Sequence, residues 1–457
     1  MLDNMTGYVI VDTLHIINGE KQTTMQQFEL TIEDNSNEMT NAHTMSIRSD
    51  YLTADLDGLF LYNTLPTTVL HLLHAHIPSV VEQPVCTSTN NHVEMQAKIR
   101  NFTPILQVLE LGIDLPDAFD IKGHIYEDQQ EFEIKTYIPY IRTSGTNMEN
   151  IEIALDNHND QLELSLSVLN HLPKDNPTAA KLGDIKAGIE LSAKNDALDL
   201  LVNLENTDKV RNEGTIHAAS QLSRNNDTVQ LDIQILPTNF ILNDSSWNIS
   251  EANIRYVPAK KIMDVHNFAL FTNYQSIAIN GRASVSDSDS LNVALHNINM
   301  DYLLSYTEAN EAISIMGPAT GEAHIYGLFS EPMLEAQAQI PNGGLNGVYL
   351  GDVTAEAKLD RENKTILIDG QIVDSTNHLV AQVAGKVIPR DKWWGLDIAC
   401  DSVDLHFIDF WTNEIIANPQ GRAYGNVKVE GQRHKVWVTG RALAKNAQVT
   451  VPQIGTT

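Results

Sequence analysis

The chain has 457 residues, 42% of them hydrophobic, which is too apolar for a disordered polymer and long enough for two to four compact domains. Its 59 acidic residues against 30 basic ones give a formal net charge of −29, and no cluster of Lys and Arg interrupts that surface, so nucleic acid is excluded as a partner. Two cysteines, Cys86 and Cys400, without C-x-x-C or Cys/His spacing, exclude a disulfide scaffold and a structural zinc site.

The first predicted helix starts at Pro66 and runs to about residue 77, with Val69, Leu70, Leu73 and Ile77 on its apolar face. Within a meander, such a helix is expected to plug an opening of the sheet. A second follows, with Thr103 as N-cap, Pro104 at N1, an apolar stretch Ile105, Leu106, Val108 and Leu109, and Gly112 closing it at C′. From there strict two-residue alternation takes over. Residues 161–168 read QLELSLSV, and the same phase recurs in IKAGIELSA (185–193), VQLDIQI (229–235), LEAQAQI (334–340) and VTAEAKL (353–359). Successive strand side chains point to opposite faces, so each of these strands has one apolar and one wet face. The intervening turns at 157–160, 195–196, 224–227, 360–363 and 389–392 are too short for parallel crossovers and predict antiparallel neighbours.

The chain also repeats. Gly317, Gly321 and Gly327 recur as Gly421, Gly425 and Gly431, and Gly281 recurs as Gly385; the offsets 421−317, 425−321, 431−327 and 385−281 all equal 104. Between them Leu291–Tyr306 aligns with Leu396–Trp411, one residue further along, and 93–108 with Gly123 forms a weaker first copy. Glycines inside strands permit the bulges and bends that curl a sheet. Recurring at one period, they predict an evenly curled, elongated sheet of roughly thirty strands stacked at about 4.8 Å. The expected divisions are 1–91, an N-terminal β segment carrying the helix near 66–77; 92–240, degenerate β repeats; and one repeat each in 241–345 and 346–457.

The phrases NMDYLLSYTEANEAISIMGPATGEAHIYG and VDLHFIDFWTNEIIANPQGRAYGNVKVEG, with SSWNISEANIRYV and SIRSDYLTADLDGLF, resemble the TamB family and its AsmA-like relatives of Bacteroides-type bacteria. The resemblance covers nearly the whole chain and is strongest beyond residue 240. It implies an all-β fold, a long antiparallel meander rolled lengthwise into a β-taco with a few short helices. It further implies a non-enzymatic conduit in the periplasm, whose apolar groove holds phospholipid acyl chains and supports lipid transport or outer-membrane assembly. The family's N-terminal inner-membrane anchor and the C-terminal domain that meets an outer-membrane barrel have no counterpart here, so the chain is expected to be an internal fragment. A structural or adhesive surface protein with a closed core has the same binary pattern. A β-helix polysaccharide-degrading enzyme is disfavoured by the short antiparallel turns.

The residues expected to line the groove occupy the apolar phase of their strands: Leu164, Leu166, Ile189, Leu191, Leu231, Ile233, Val293, Leu295, Val383, Ile398, Val427, Val429, Val436 and Val438. No catalytic, cofactor or metal site is expected, and no nucleophile elbow, phosphate loop or dinucleotide fingerprint occurs. His71, His74 and His76 read as a polar helix edge rather than metal ligands. Asp50, Asp55 and Asp57, like Asp287 and Asp289, read as solvated turns, lacking the glycine and bidentate glutamate of a calcium loop. Trp393 and Trp394 are expected to cover an edge or opening of the sheet. Cys86 and Cys400, in different repeats of an extended body, are expected to be free thiols.

Overall fold

A computed structural model describes residues 6–36, 42–85, 90–143, 146–171, 183–206, 210–300, 314–409, 416–432 and 435–453. It is all-β: twenty-nine strands in an antiparallel meander, with two short α-helices among the described residues. Two compact units divide the chain, 1–246 and 247–457. That division falls six residues beyond the expected one at 240, while those at 91 and 345 lie inside units.

The turns show why the meander forms. Four hairpin turns place consecutive Asn and Asp residues in the left-handed region: Asn159 and Asp160 (φ 55° and 61°), Asn195 and Asp196 (50° and 66°), Asn226 and Asp227 (44° and 61°), Asn243 and Asp244 (50° and 59°). Two left-handed residues in a row are the type I′ geometry whose twist matches the flanking strands, and Asn and Asp tolerate it at least cost after glycine. A second turn recurs as a three-residue 3₁₀ segment closed by a left-handed residue: Glu127–Gln129 with Gln130, Pro258–Lys260 with Lys261, and Pro389–Asp391 with Lys392. Its spacing is regular, 258−127 and 389−258 both being 131.

The expected repeat is visible in the strand register. Gly123 faces Met95, Gly321 faces Leu295 and Gly425 faces Cys400, each across one antiparallel pair. Gly281 faces Leu291 just as Gly385 faces Leu396. A Cβ on Gly123, Gly321 or Gly425 would come closer than 3.0 Å to the backbone carbonyl of Glu133, Gln337 or Arg441 on the next strand. The neighbouring strand therefore approaches closest where the repeat places glycine. Gly425→Ala is expected to cost more than about 1 kcal/mol, since φ is also +145° there, whereas Gly7→Ala, with open space around it, should be neutral. Differential scanning calorimetry checks this: the first variant should melt a few degrees lower and the second with the parent.

The helices agree in place and differ in detail. The first, α1, is Leu65–His74 with Pro66 in its opening turn. The second, α2, is Thr103–Val108, capped by Phe102 and not Thr103; the Phe102 amide is held by Leu115 O at 2.9 Å, which starts the helix one residue early. Glu110 (φ 59°) takes the left-handed position after α2 ahead of the expected Gly112. The segments of the later copies that align with α2 fall partly outside the described residues. In the last copy only the 3₁₀ turn Leu405–Ile408 is described, with the Asp404 carboxylate accepting from the His406 amide at 3.0 Å.

Candidate lipid-facing surface

In the unit 247–457, cross-strand partners line up into an uninterrupted apolar row. Ile279, Val293, Ala323, Ala336, Ala357, Ile368, Gly385, Leu396, Val429 and Val438 face one another in turn across ten strands. A second row, displaced by two residues, runs Ile277, Leu295, Gly321, Ala338, Ala355, Gly370, Val383, Ile398, Val427 and Gly440. Between them, on the opposite face, lie Glu322, Gln337, Glu356, Asp369, Asp397 and Lys428, all exposed. The period of two makes this separation automatic once the register is fixed, because a slip by one residue would invert every strand.

The unit 1–246 has its own row across thirteen strands. Gly7, Ile32, Met45, Leu56, Met95, Gly123, Ile134, Leu155, Leu164, Leu191, Leu200, Ala218 and Ile235 follow in register. Beside it, Leu166 faces Ile153 and Ile189, Leu231 faces Leu222, and Ile233 faces Ser220. The first unit's row is built mostly of Leu and Ile. The middle of the second unit's rows is paved with Ala and Gly.

Twelve of the fourteen expected lining residues are half-buried members of these two faces. Val438, on the last strand, is 66% exposed; no following strand pairs over it among the described residues. Val436 is placed by its register opposite Gly431. The alanines at 323, 336, 338 and 357 escaped the expectation, although GEAHI, LEAQA and TAEA carry them in the correct phase; their small side chains hid them among the turn-like and neutral residues.

Burial is confined to patches. Val265, Ala283 and Leu291 form one buried cluster and Val380, Ala381 and Val403 another, the latter joined by half-buried Cys400. Cys400 is a free thiol whose pKa is pushed up by burial, so it stays protonated at neutral pH. Cys86 lies outside the described residues. Trp394 stands against Gly431, where a Cβ would clash with its indole, and Lys386 lies over the Trp393 ring at 5.7 Å.

A third cluster sits under α1. Leu72 is buried with Ile125 and Phe132, and Leu65, Val69 and Leu73 pack there beside Met95, Leu155 and Leu162. Since Met95 and Leu155 belong to the apolar row, α1 covers part of that face. The segment after α1 is pinned down. The Ser79 amide and hydroxyl each donate to the Asp196 carboxylate at 2.9 Å, and the Asp196 amide donates to His76 O at 2.9 Å. Arg224 donates to Ser79 O at 2.9 Å and pairs with Glu82 at 2.8 Å. These contacts attach the α1 segment to two hairpin turns, so the cover is anchored at its C-terminal side.

The polar candidates do not converge. His74 reaches Val81 O at 2.6 Å, His76 is buried with its pKa lowered by burial, and His71 is exposed. Asp55 pairs with Arg48 at 2.5 Å, Asp57 accepts from Thr44 at 3.1 Å, and Asp50 accepts from the Gln26 amide at 3.3 Å. A depression of about 710 Å³ on the wet face of the second unit is lined by Glu322, Gln337, Gln339, Thr354, Glu356 and Asp369, a lining that does not suit acyl chains. No helix among the described residues is long and apolar enough to cross a membrane. No protein-family model, curated protein or solved structure matches this chain.

Proposed function

We propose that this protein is a non-enzymatic lipid conduit of the bacterial cell envelope, in which phospholipid acyl chains lie along the apolar faces of its meander. One observation carries the reading: in each unit an apolar row continues from strand to strand without a charged interruption, and its side chains are half-buried rather than sealed in a core. A closed sandwich of this length would bury those side chains almost completely. A face left half-exposed over so many strands is a large apolar surface, of the kind that marks a binding site. The resemblance to TamB and AsmA-like proteins points the same way. By that resemblance the proposed place of work is the periplasm, and the proposed partners are phospholipid acyl chains and an outer-membrane barrel protein.

Native mass spectrometry of protein purified without detergent from a bacterial host tests it. Adducts at phospholipid masses, released by organic extraction, are expected. Their absence, together with no binding of an environment-sensitive fatty-acid probe, would replace the conduit with a structural surface protein whose apolar faces close on themselves.

A further inference from the structure

We propose that Glu133, Asp156 and His158 form a binding site for a divalent transition-metal ion on the wet face of the first unit. The donors come from two strands and a turn: Glu133 in Glu131–Thr143, Asp156 closing Asn147–Asp156, and His158 opening the 3₁₀ turn His158–Asp160. The antiparallel register sets Glu133 directly opposite Asp156. One ligating atom from each lies within 4.8 Å of the others, and all three residues are half-buried. Around an ion with bonds of about 2.0–2.2 Å, neighbouring donors sit roughly 3–3.5 Å apart. Closing the triad therefore needs only side-chain rotations.

The surroundings are those of a ligand set. Nδ1 of His158 is 2.7 Å from Asp156 Oδ1, the side on which the ion would sit. Its Nε2 is 3.2 Å from Glu131 Oε1, and that same oxygen is 3.2 Å from Nε2 of His124. A metal-bound imidazole characteristically donates its other N–H to a carboxylate, which fixes the ring and raises its basicity. Glu131 stands in that place, held by a second imidazole. Between the ligands, buried Asn157 accepts from the Phe132 amide and donates to Gln130 O, both at 2.7 Å, so the corner is rigid without an ion. Opposed carboxylates destabilise a strand pair, and here Asp156 faces Glu133 on one side and Glu163 on the other. Lys135, exposed, is bound to Glu133 Oε2 at 2.5 Å. One imidazole with two carboxylates suits Zn²⁺, Mn²⁺ or Co²⁺; Ca²⁺ and Mg²⁺ prefer oxygen alone and Cu⁺ prefers sulfur.

Isothermal titration with Zn²⁺, and the visible absorption of Co²⁺ added in its place, test the site on the full chain. One equivalent is expected to bind at micromolar or lower dissociation constant and to give ligand-field bands. His158→Ala and Asp156→Asn should each weaken this equivalent at least about 100-fold, and Glu131→Gln about tenfold, while His71→Ala changes nothing. Glu133→Gln keeps the strand's shape and serves where another variant fails to fold, which a melt in chelator reveals. Unchanged stoichiometry and Co²⁺ spectrum in Asp156→Asn and Glu133→Gln, or no equivalent tighter than about 100 µM in the parent, would overturn the proposal.

Discussion

Val429→Asp is expected to strip most of the co-purifying phospholipid from the protein, while Lys428→Gln leaves it in place. Val429 stands in the apolar row between Leu396 and Val438, and Lys428 points to the opposite, wet face. An ionised carboxylate in the row would have to be desolvated beneath an acyl chain, at a cost of several kcal/mol, which corresponds to a loss of occupancy of about 100-fold. The neutral control must be Gln. Lys428 faces Asp397 across the strand pair, and reversing its charge would set two carboxylates against each other. Because Val429 is only half-buried, the folded state should survive with a modest fall in melting temperature. Lipid extraction and calorimetry on both variants check this. Equal lipid in the two would remove the assignment of the apolar face as the carrier, and unfolding of Val429→Asp without prior lipid loss would favour a closed core.

Leu72→Ala should produce the largest loss of stability in the first unit. Leu72 is 1% exposed, wedged by α1 against Ile125 and Phe132. Truncation leaves a cavity between a helix and a sheet, at about 2–5 kcal/mol. For a unit of this size that lowers the melting temperature by roughly 5–15 °C. The same substitution loosens the cover that α1 places over Met95 and Leu155, so the first unit should bind more of a fatty-acid probe per molecule. Val69→Ala, at the margin of the same cluster, should show both effects in smaller measure. A melting shift without any gain in probe binding would show that α1 is a structural element only and blocks nothing.

The alternation in QLELSLSV, IKAGIELSA, VTAEAKL and their like fixed one apolar face per strand, because a strand's side-chain period is two, and the short turns between them made the neighbours antiparallel. The Asn-Asp turns at 159–160, 195–196 and 226–227 and the glycines 104 residues apart were equally legible, while the one at 243–244 was not among the expected turns. Each marks a backbone conformation or an interstrand approach that few other residues permit. The register decided what no single segment contained: that Ala323, Ala336 and Ala357 join Val293, Ile368 and Val429 in one row. Which strand partner a residue faces depends on turn lengths and bulges summed along the chain. The cover formed by α1 was likewise a tertiary matter, since an amphipathic helix carries no label for the sheet face it will bury, and Ser79 meets Asp196 across 117 positions. The cluster of Glu133, Asp156 and His158 was invisible for the same reason. Glu133 is separated from Asp156 and His158 along the chain by a hairpin, and only antiparallel pairing brings the three to one corner of the sheet.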